Sequence, residues 1–244
     1  MSLPFDSFTL AASTADLGAE PAARADADCV EFRMDLAGAP LDALASYDGE
    51  LPILATNRAA WEGGEAPPEG RLDALAAALE HDAVAAIDVE LAALAPDGPG
   101  DTDRAESLLA DAAAADVSTV VSTHDFEGTP PESDLADRLR RAGERGDVGK
   151  IAVTAREAGE ALSVLSVTHE LTRAGLDVAT MAMGAAGSHT RAVAPVYGSK
   201  IGYAPVDPDE ATAPGQYDLE TLRGLVDRLS GESGAGEGAA ATSR

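Results

Sequence analysis

The chain is 244 residues long and 45% hydrophobic, and its 43 carboxylates outweigh 17 lysines and arginines to give a formal charge of −26. That length can bury the core of one large α/β domain, and so acidic a surface would repel nucleic acid and anionic membranes, which argues against either as a partner. Residues 1–8 lack a basic segment followed by an apolar core, and no long apolar span occurs, so a soluble cytoplasmic protein is expected.

The acids are spread along the whole chain, and lysine is nearly absent: Lys150 and Lys200 are the two among 17 basic residues. Acidic excess with lysine depletion suits molar salt, where the screening length falls to about 3 Å and self-repulsion is damped. Poor stability in dilute buffer is expected. A lysine kept in such a chain is a candidate for amine chemistry, because a guanidinium stays protonated and cannot form an imine. The single Cys29 cannot form an internal disulfide and reads as a small buried hydrophobe.

In chain order, the first apolar run covers residues 8–12 and the second 29–34. In the second, a period of two sets Val30, Phe32 and Met34 on one face and Glu31, Arg33 and Asp35 on the other. The apolar set would pack on helices while the charged set points inward, or Glu31 and Arg33 form a buried ion pair. The third run, 52–57, leads into a loop holding Arg58, Trp61, Glu62 and the turn-permitting pair Gly63-Gly64. Helical spacing follows at Leu72, Leu75 and Leu79. The fourth run, 85–91, carries Asp88 and Glu90 at alternate positions, and Leu108 and Leu109 mark another helix. The fifth, 118–123, closes on Ser122 and His124. His81 and His169 lie in polar, helix-like settings and His189 can face either way, so His124, at a strand end, is the histidine best placed for acid/base work.

Lys150 opens the sixth run, 149–154, beside Ile151, Ala152 and Val153, which reads as a buried strand. A helix follows through Leu162, Leu165 and Leu171. The seventh run, 178–183, precedes Gly184-Ala185-Ala186-Gly187-Ser188, a nest for an anion without dinucleotide or P-loop spacing, and Arg191 stands one turn on to pair with a carboxylate or phosphate. The eighth run is 199–203. Eight strand–helix alternations in about 220 residues favour a (β/α)₈ TIM barrel over an open doubly wound sheet, with the site at the C-terminal strand ends. Residues 1–229 are expected to form this single domain, and 230–244, without apolar periodicity, a disordered tail.

Seven segments in order then coincide with one family. They are Glu31-Phe32-Arg33-Met34-Asp35; Arg58 with Glu62-Gly63-Gly64-Glu65; Asp88-Val89-Glu90-Leu91; Ser122-Thr123-His124-Asp125-Phe126; Gly149-Lys150-Ile151-Ala152-Val153; Met183-Gly184 through Arg191; and Ala213-Pro214-Gly215-Gln216. With these the chain resembles type I 3-dehydroquinate dehydratase. The resemblance implies a (β/α)₈ barrel, usually a homodimer, that works without metal or organic cofactor. It implies that Lys150 condenses with the C3 ketone of 3-dehydroquinate and that His124 takes the C2 proton and then protonates the departing C1 hydroxyl. Glu62 would orient His124. Glu31 and Arg33 would hold ring hydroxyls with Arg58 close by, Arg191 would pair with the C1 carboxylate, and Thr212 and Gln216 would close over the substrate.

Imine formation needs a neutral amine, and at a pKa of about 10.4 only about one lysine in a few thousand is neutral at pH 7, so burial or nearby Arg191 would have to lower it. Two departures stand out: the family usually has serine where this chain has Thr212, and the short N-terminus leaves little room for the hairpin that covers the barrel bottom in many members. Three other readings share some of these residues. A class I aldolase would use Lys150 without needing His124 paired to Glu62; a metal-dependent hydrolase would take Glu31, Asp88, Glu90 and His124 as ligands; and a barrel without catalysis would serve in assembly alone.

Overall fold

A computed structural model of the chain describes residues 2–207 and 215–231. All eight apolar runs become parallel strands: β1 (Thr9–Thr14), β2 (Cys29–Arg33), β3 (Ile53–Thr56), β4 (Val84–Glu90), β5 (Ser118–Asp125), β6 (Val148–Thr154), β7 (Val178–Met183) and β8 (Ile201–Pro205). Between and after them lie α1 (Pro40–Ala45), α2 (Arg71–Ala78), α3 (Thr102–Ala114), α4 (Glu132–Gly143), α5 (Ala158–Arg173), α6 (Thr190–Val193) and α7 (Leu219–Ser230). Local chemistry sets several boundaries. Asp101 and Asp218 cap α3 and α7 by accepting from the backbone N–H groups of Arg104 and Thr221.

The strands pair in the order β8-β1-β2-β3-β4-β5-β6-β7. A bridge between Val178 and Ser199, with the Lys200 N–H donating to Val178 O at 2.7 Å, joins β7 to β8 and brings the ring together as the expected (β/α)₈ barrel. Outside the ring, Val30, Phe32, Ile53, Ile87 and Val89 pack with Leu44, Leu75 and Leu108 of the first three helices. Ile151, Val153 and Val178 pack with Leu135, Leu139, Val164 and Leu171 of α4 and α5. This is the helix-facing set expected for β2, and it leaves the alternate residues pointing into the barrel.

At the N-terminal end of the barrel, Leu3 and Phe5 are buried among Ala85, Val120, Val148 and Ile201. The Leu3 N–H donates to Ala85 O at 3.1 Å, and Ser118 Oγ donates to Leu3 O at 2.6 Å. The floor is therefore plugged by two apolar side chains of the segment that leads into β1.

Three details differ from the sequence reading. β1 and β5 run on through Ser13-Thr14 and His124-Asp125, because polar residues that face the barrel interior look like turn signals in a linear reading. Leu162 lies 66% exposed on α5 while Leu165 and Leu171 are buried. Ser230 belongs to α7, which ends at Gly231 with φ 77°; residues 232–244 of the predicted tail lie outside the described residues. Among the described residues no helix is long and apolar enough to cross a membrane.

Candidate active site

Inward-facing side chains of β2, β3 and β4 build one wall of a cavity at the C-terminal strand ends. Glu31 accepts hydrogen bonds from the hydroxyls of Ser13 and, at 3.2 Å, Thr56. It is not paired with Arg33, which instead forks onto Asp35 through Nε–Oδ1 at 2.9 Å and Nη2–Oδ2 at 2.7 Å. Burial opposes the charge on Arg33, but the Asp35 carboxylate more than offsets this and holds its pKa above the usual value. The buried Arg58 lies against Asp88 (2.7 Å), Glu90 (3.4 Å) and the hydroxyl of Ser122 (2.6 Å).

Glu62 ends a single 3₁₀ turn, Ala60–Glu62, and Gly63 reverses the chain at φ 78°. The turn is tight: a Cβ on Gly64 would stand 2.0 Å from the Arg58 carbonyl oxygen, so only glycine fits. Two anchors fix the loop from below. Glu90 accepts the Ala59 N–H at 2.9 Å and pairs with Arg71 at 2.7 Å, and the Arg71 guanidinium sits 4.8 Å from the Trp61 ring centroid. So held, Glu62 Oε2 accepts the backbone N–H of His124 at 2.6 Å and lies 2.8 Å from its Nδ1.

That contact sets the chemistry of the pair. Burial raises the Glu62 carboxyl to about 7. Burial, reinforced by the cations Arg58 and Lys150, pushes the His124 imidazole well below its ordinary 6.5. His124 is thus a neutral base at neutral pH. With Nδ1 turned to Glu62, Nε2 is the nitrogen left for a substrate proton. The Phe126 ring stacks at 6.1 Å on the His124 ring and is half exposed, forming a lip at the mouth of the cavity.

Lys150 projects inward from β6, directly beside Ser122 of β5 and Ala179 of β7. It is 4% exposed; its Nζ lies 3.1 Å from Asp88 Oδ2 and 4.2 Å from the centroid of the Tyr203 ring. Asp88 is itself wholly buried, which opposes ionisation, yet Arg58 and Lys150 hold its carboxyl far below the usual range. The guanidinium set against the amine is therefore Arg58, bridged to it through Asp88. Arg191, from the one-turn α6, faces the same cavity. It makes no ion pair among the described residues, and burial lowers its pKa to about 10, so an anion arriving there would meet a guanidinium without a counter-charge.

Glu31, Arg33, Arg58, Glu62, His124, Lys150, Arg191 and Gln216 all line this one cavity. Thr212 lies outside the described residues. Asp88 and Glu90, two of the four ligands a metal-dependent hydrolase would need, are bonded to Arg58, Arg71 and Lys150. No three His, Cys, Asp or Glu among the described residues form a metal-ligand group. Sequence reasoning missed Ser13, Arg71, Tyr203, Met181 and Met183 around the site. The methionines could have been found from inward parity on β7, but the role of Arg71, on a helix, carried no local signal.

The family model of type I 3-dehydroquinase matches residues 9–232. A 3-dehydroquinate dehydratase of Haloarcula marismortui is 60% identical over 232 residues, covering 95% of this chain and 100% of the relative. The crystal structure of 3-dehydroquinate dehydratase from Geobacillus kaustophilus superposes with a TM-score of 0.80 at 28% identity, covering 93% of each chain. That of type I 3-dehydroquinate dehydratase from Clostridium difficile, with covalently modified comenic acid, gives 0.79 at 25% identity and the same coverage. With the family model spanning nearly the whole barrel and a relative 60% identical along its full length, this chain belongs to the type I 3-dehydroquinases.

Proposed function

We propose that this protein dehydrates 3-dehydroquinate to 3-dehydroshikimate by syn elimination through an imine on Lys150. What carries the reading is the convergence, in one cavity, of a buried amine, a neutral imidazole oriented by a carboxylate, and an uncompensated guanidinium. Arg191 receives the C1 carboxylate of the substrate, and Glu31 and Arg33 hold its ring hydroxyls. This places the C3 ketone at Lys150 Nζ. His124 moves protons as the carbinolamine forms and loses water. The protonated imine then draws electrons from the C2–H bond, and His124 Nε2 accepts that proton while the Glu62 carboxylate steadies the imidazolium. The same proton passes to the departing C1 hydroxyl, which leaves as water from the same face. Hydrolysis of the imine returns the amine.

Gln216, which lines the cavity, covers the bound ring and helps keep water from the imine until elimination is complete. The reading requires neither metal nor organic cofactor and takes a homodimer in the cytoplasm as the working unit; light scattering in molar KCl checks the dimer. The solved relative with covalently modified comenic acid supports covalent chemistry in the family.

The test is intact mass after 3-dehydroquinate and borohydride in molar KCl. A substrate-sized gain is expected on the wild type and none on Lys150→Ala. Product formation by folded wild type without any adduct would overturn the imine.

A further inference from the structure

Resting on the reading of Lys150 as the imine-forming amine, we propose that Tyr203 is a further catalytic residue, its ring face holding the positive charge of the imine nitrogen at the floor of the cavity. β8 delivers it. Tyr203 stands in register with Ala11 of β1, is 4% exposed, and lines the cavity with its ring centroid 4.2 Å from Lys150 Nζ. A cation within about 6 Å of an aromatic face is attracted by the ring's negative face, and most strongly where water is excluded. The Tyr203 Oη has no hydrogen-bond partner among the described residues, so the ring is the engaged part of this side chain.

The amine has one carboxylate neighbour in contact, Asp88, and that carboxylate also serves Arg58 and Ser122. Condensation changes what such an acceptor can hold. An ammonium and a ketone give a protonated imine and water, so the nitrogen keeps its charge but goes from three N–H bonds to one. A hydrogen-bond acceptor must then find that single N–H, whereas an aromatic face is indifferent to the count. Tyr203 therefore stabilises the ammonium and the protonated imine alike and keeps the imine protonated at higher pH. Glu31, Arg33, Arg58, Glu62, His124 and Arg191 also line this cavity and Asp88 touches the amine, and a substitution at position 203 removes none of these seven groups.

The experiment compares wild type, Tyr203→Phe and Tyr203→Leu in molar KCl. It reads turnover and borohydride trapping of 3-dehydroquinate by intact mass at pH values from 6 to 9. Tyr203→Phe is expected to stay within about twofold of wild type throughout, since it keeps the ring. Tyr203→Leu is expected to match wild type within a few-fold at pH 6 but to lose about tenfold at pH 9, its alkaline limb displaced by roughly one pH unit. A Tyr203→Leu profile that tracks wild type overturns the proposal, and so does a Tyr203→Phe loss as large as that of leucine, which would put the work on the phenol. If the leucine variant does not fold, trifluorophenylalanine at position 203 keeps the shape, empties the ring face of charge and faces the same two outcomes. Wild type that traps no substrate would instead overturn the Lys150 reading.

Discussion

Glu62 and His124 share one proton-binding contact in a nearly dry pocket, and the two consequences for stability and for rate have opposite signs. A carboxyl raised from 4.5 to about 7 binds more protons folded than unfolded between those values, so the folded state loses stability as pH rises through that window. Replacing Glu62 with glutamine removes this cost: melting in molar KCl at pH 8 should show Glu62→Gln more stable than wild type by about 1–2 kcal/mol. Turnover should fall by about 10²-fold or more, because the imidazolium loses its counter-charge. The wild-type acid limb near pH 7 should flatten in the variant, and an unchanged limb would remove Glu62 from the assignment. At this scale Lys150, His124 and Arg191 were legible because a lysine in an apolar run of a lysine-poor chain, a strand-end histidine and an arginine after a glycine-rich turn are local patterns. The Asp88 bridge between Lys150 and Arg58 was not, since parity shows which face a side chain takes but not which neighbour it meets across three strands.

Gly149 ties an element to that chemistry. α4 crosses β6 so closely that a Cβ at this position would stand 2.5 Å from Gly143 N and 2.8 Å from Leu139 O, both backbone atoms that cannot step aside. Gly149→Ala should therefore push α4 off the barrel, cost about 2–3 kcal/mol in a denaturant titration, and lower kcat by moving the neighbouring Lys150. Equal loss in the substitution Gly38→Ala, where no atom lies near the added carbon and the backbone is not left-handed, would point to generic glycine effects instead. The strands themselves were legible from apolar runs between turn residues, because a parallel barrel strand is covered by helices outside. Their ends were read short wherever the interior turned polar, as at Ser13, Thr14 and Asp125. The short α1 and α6 left little periodic signal, having barely more than one turn each.

On the scale of the whole molecule, Leu3 and Phe5 plug the barrel floor. Phe5→Ala should cost about 3 kcal/mol and lower the melting temperature by roughly 10 °C, with kcat unchanged at temperatures where the variant is folded. A variant that melts like wild type would show that the floor is sealed by something else. The charge of −26 has no fold signature of its own, but its self-repulsion should make the fold depend on salt. The ring is thinnest where β7 meets β8, a junction resting on the Val178–Ser199 bridge, whereas each other neighbouring pair shares a ladder of at least four residues. Repulsion in dilute buffer acts on every part of the barrel and should part the ring first at this join, where the fewest backbone bonds resist it. A parted ring is an open sheet with two bare strand edges, each able to accept a strand from another molecule. Desalting should therefore end in assemblies whose growth accelerates with protein concentration and which salt added afterwards does not dissolve.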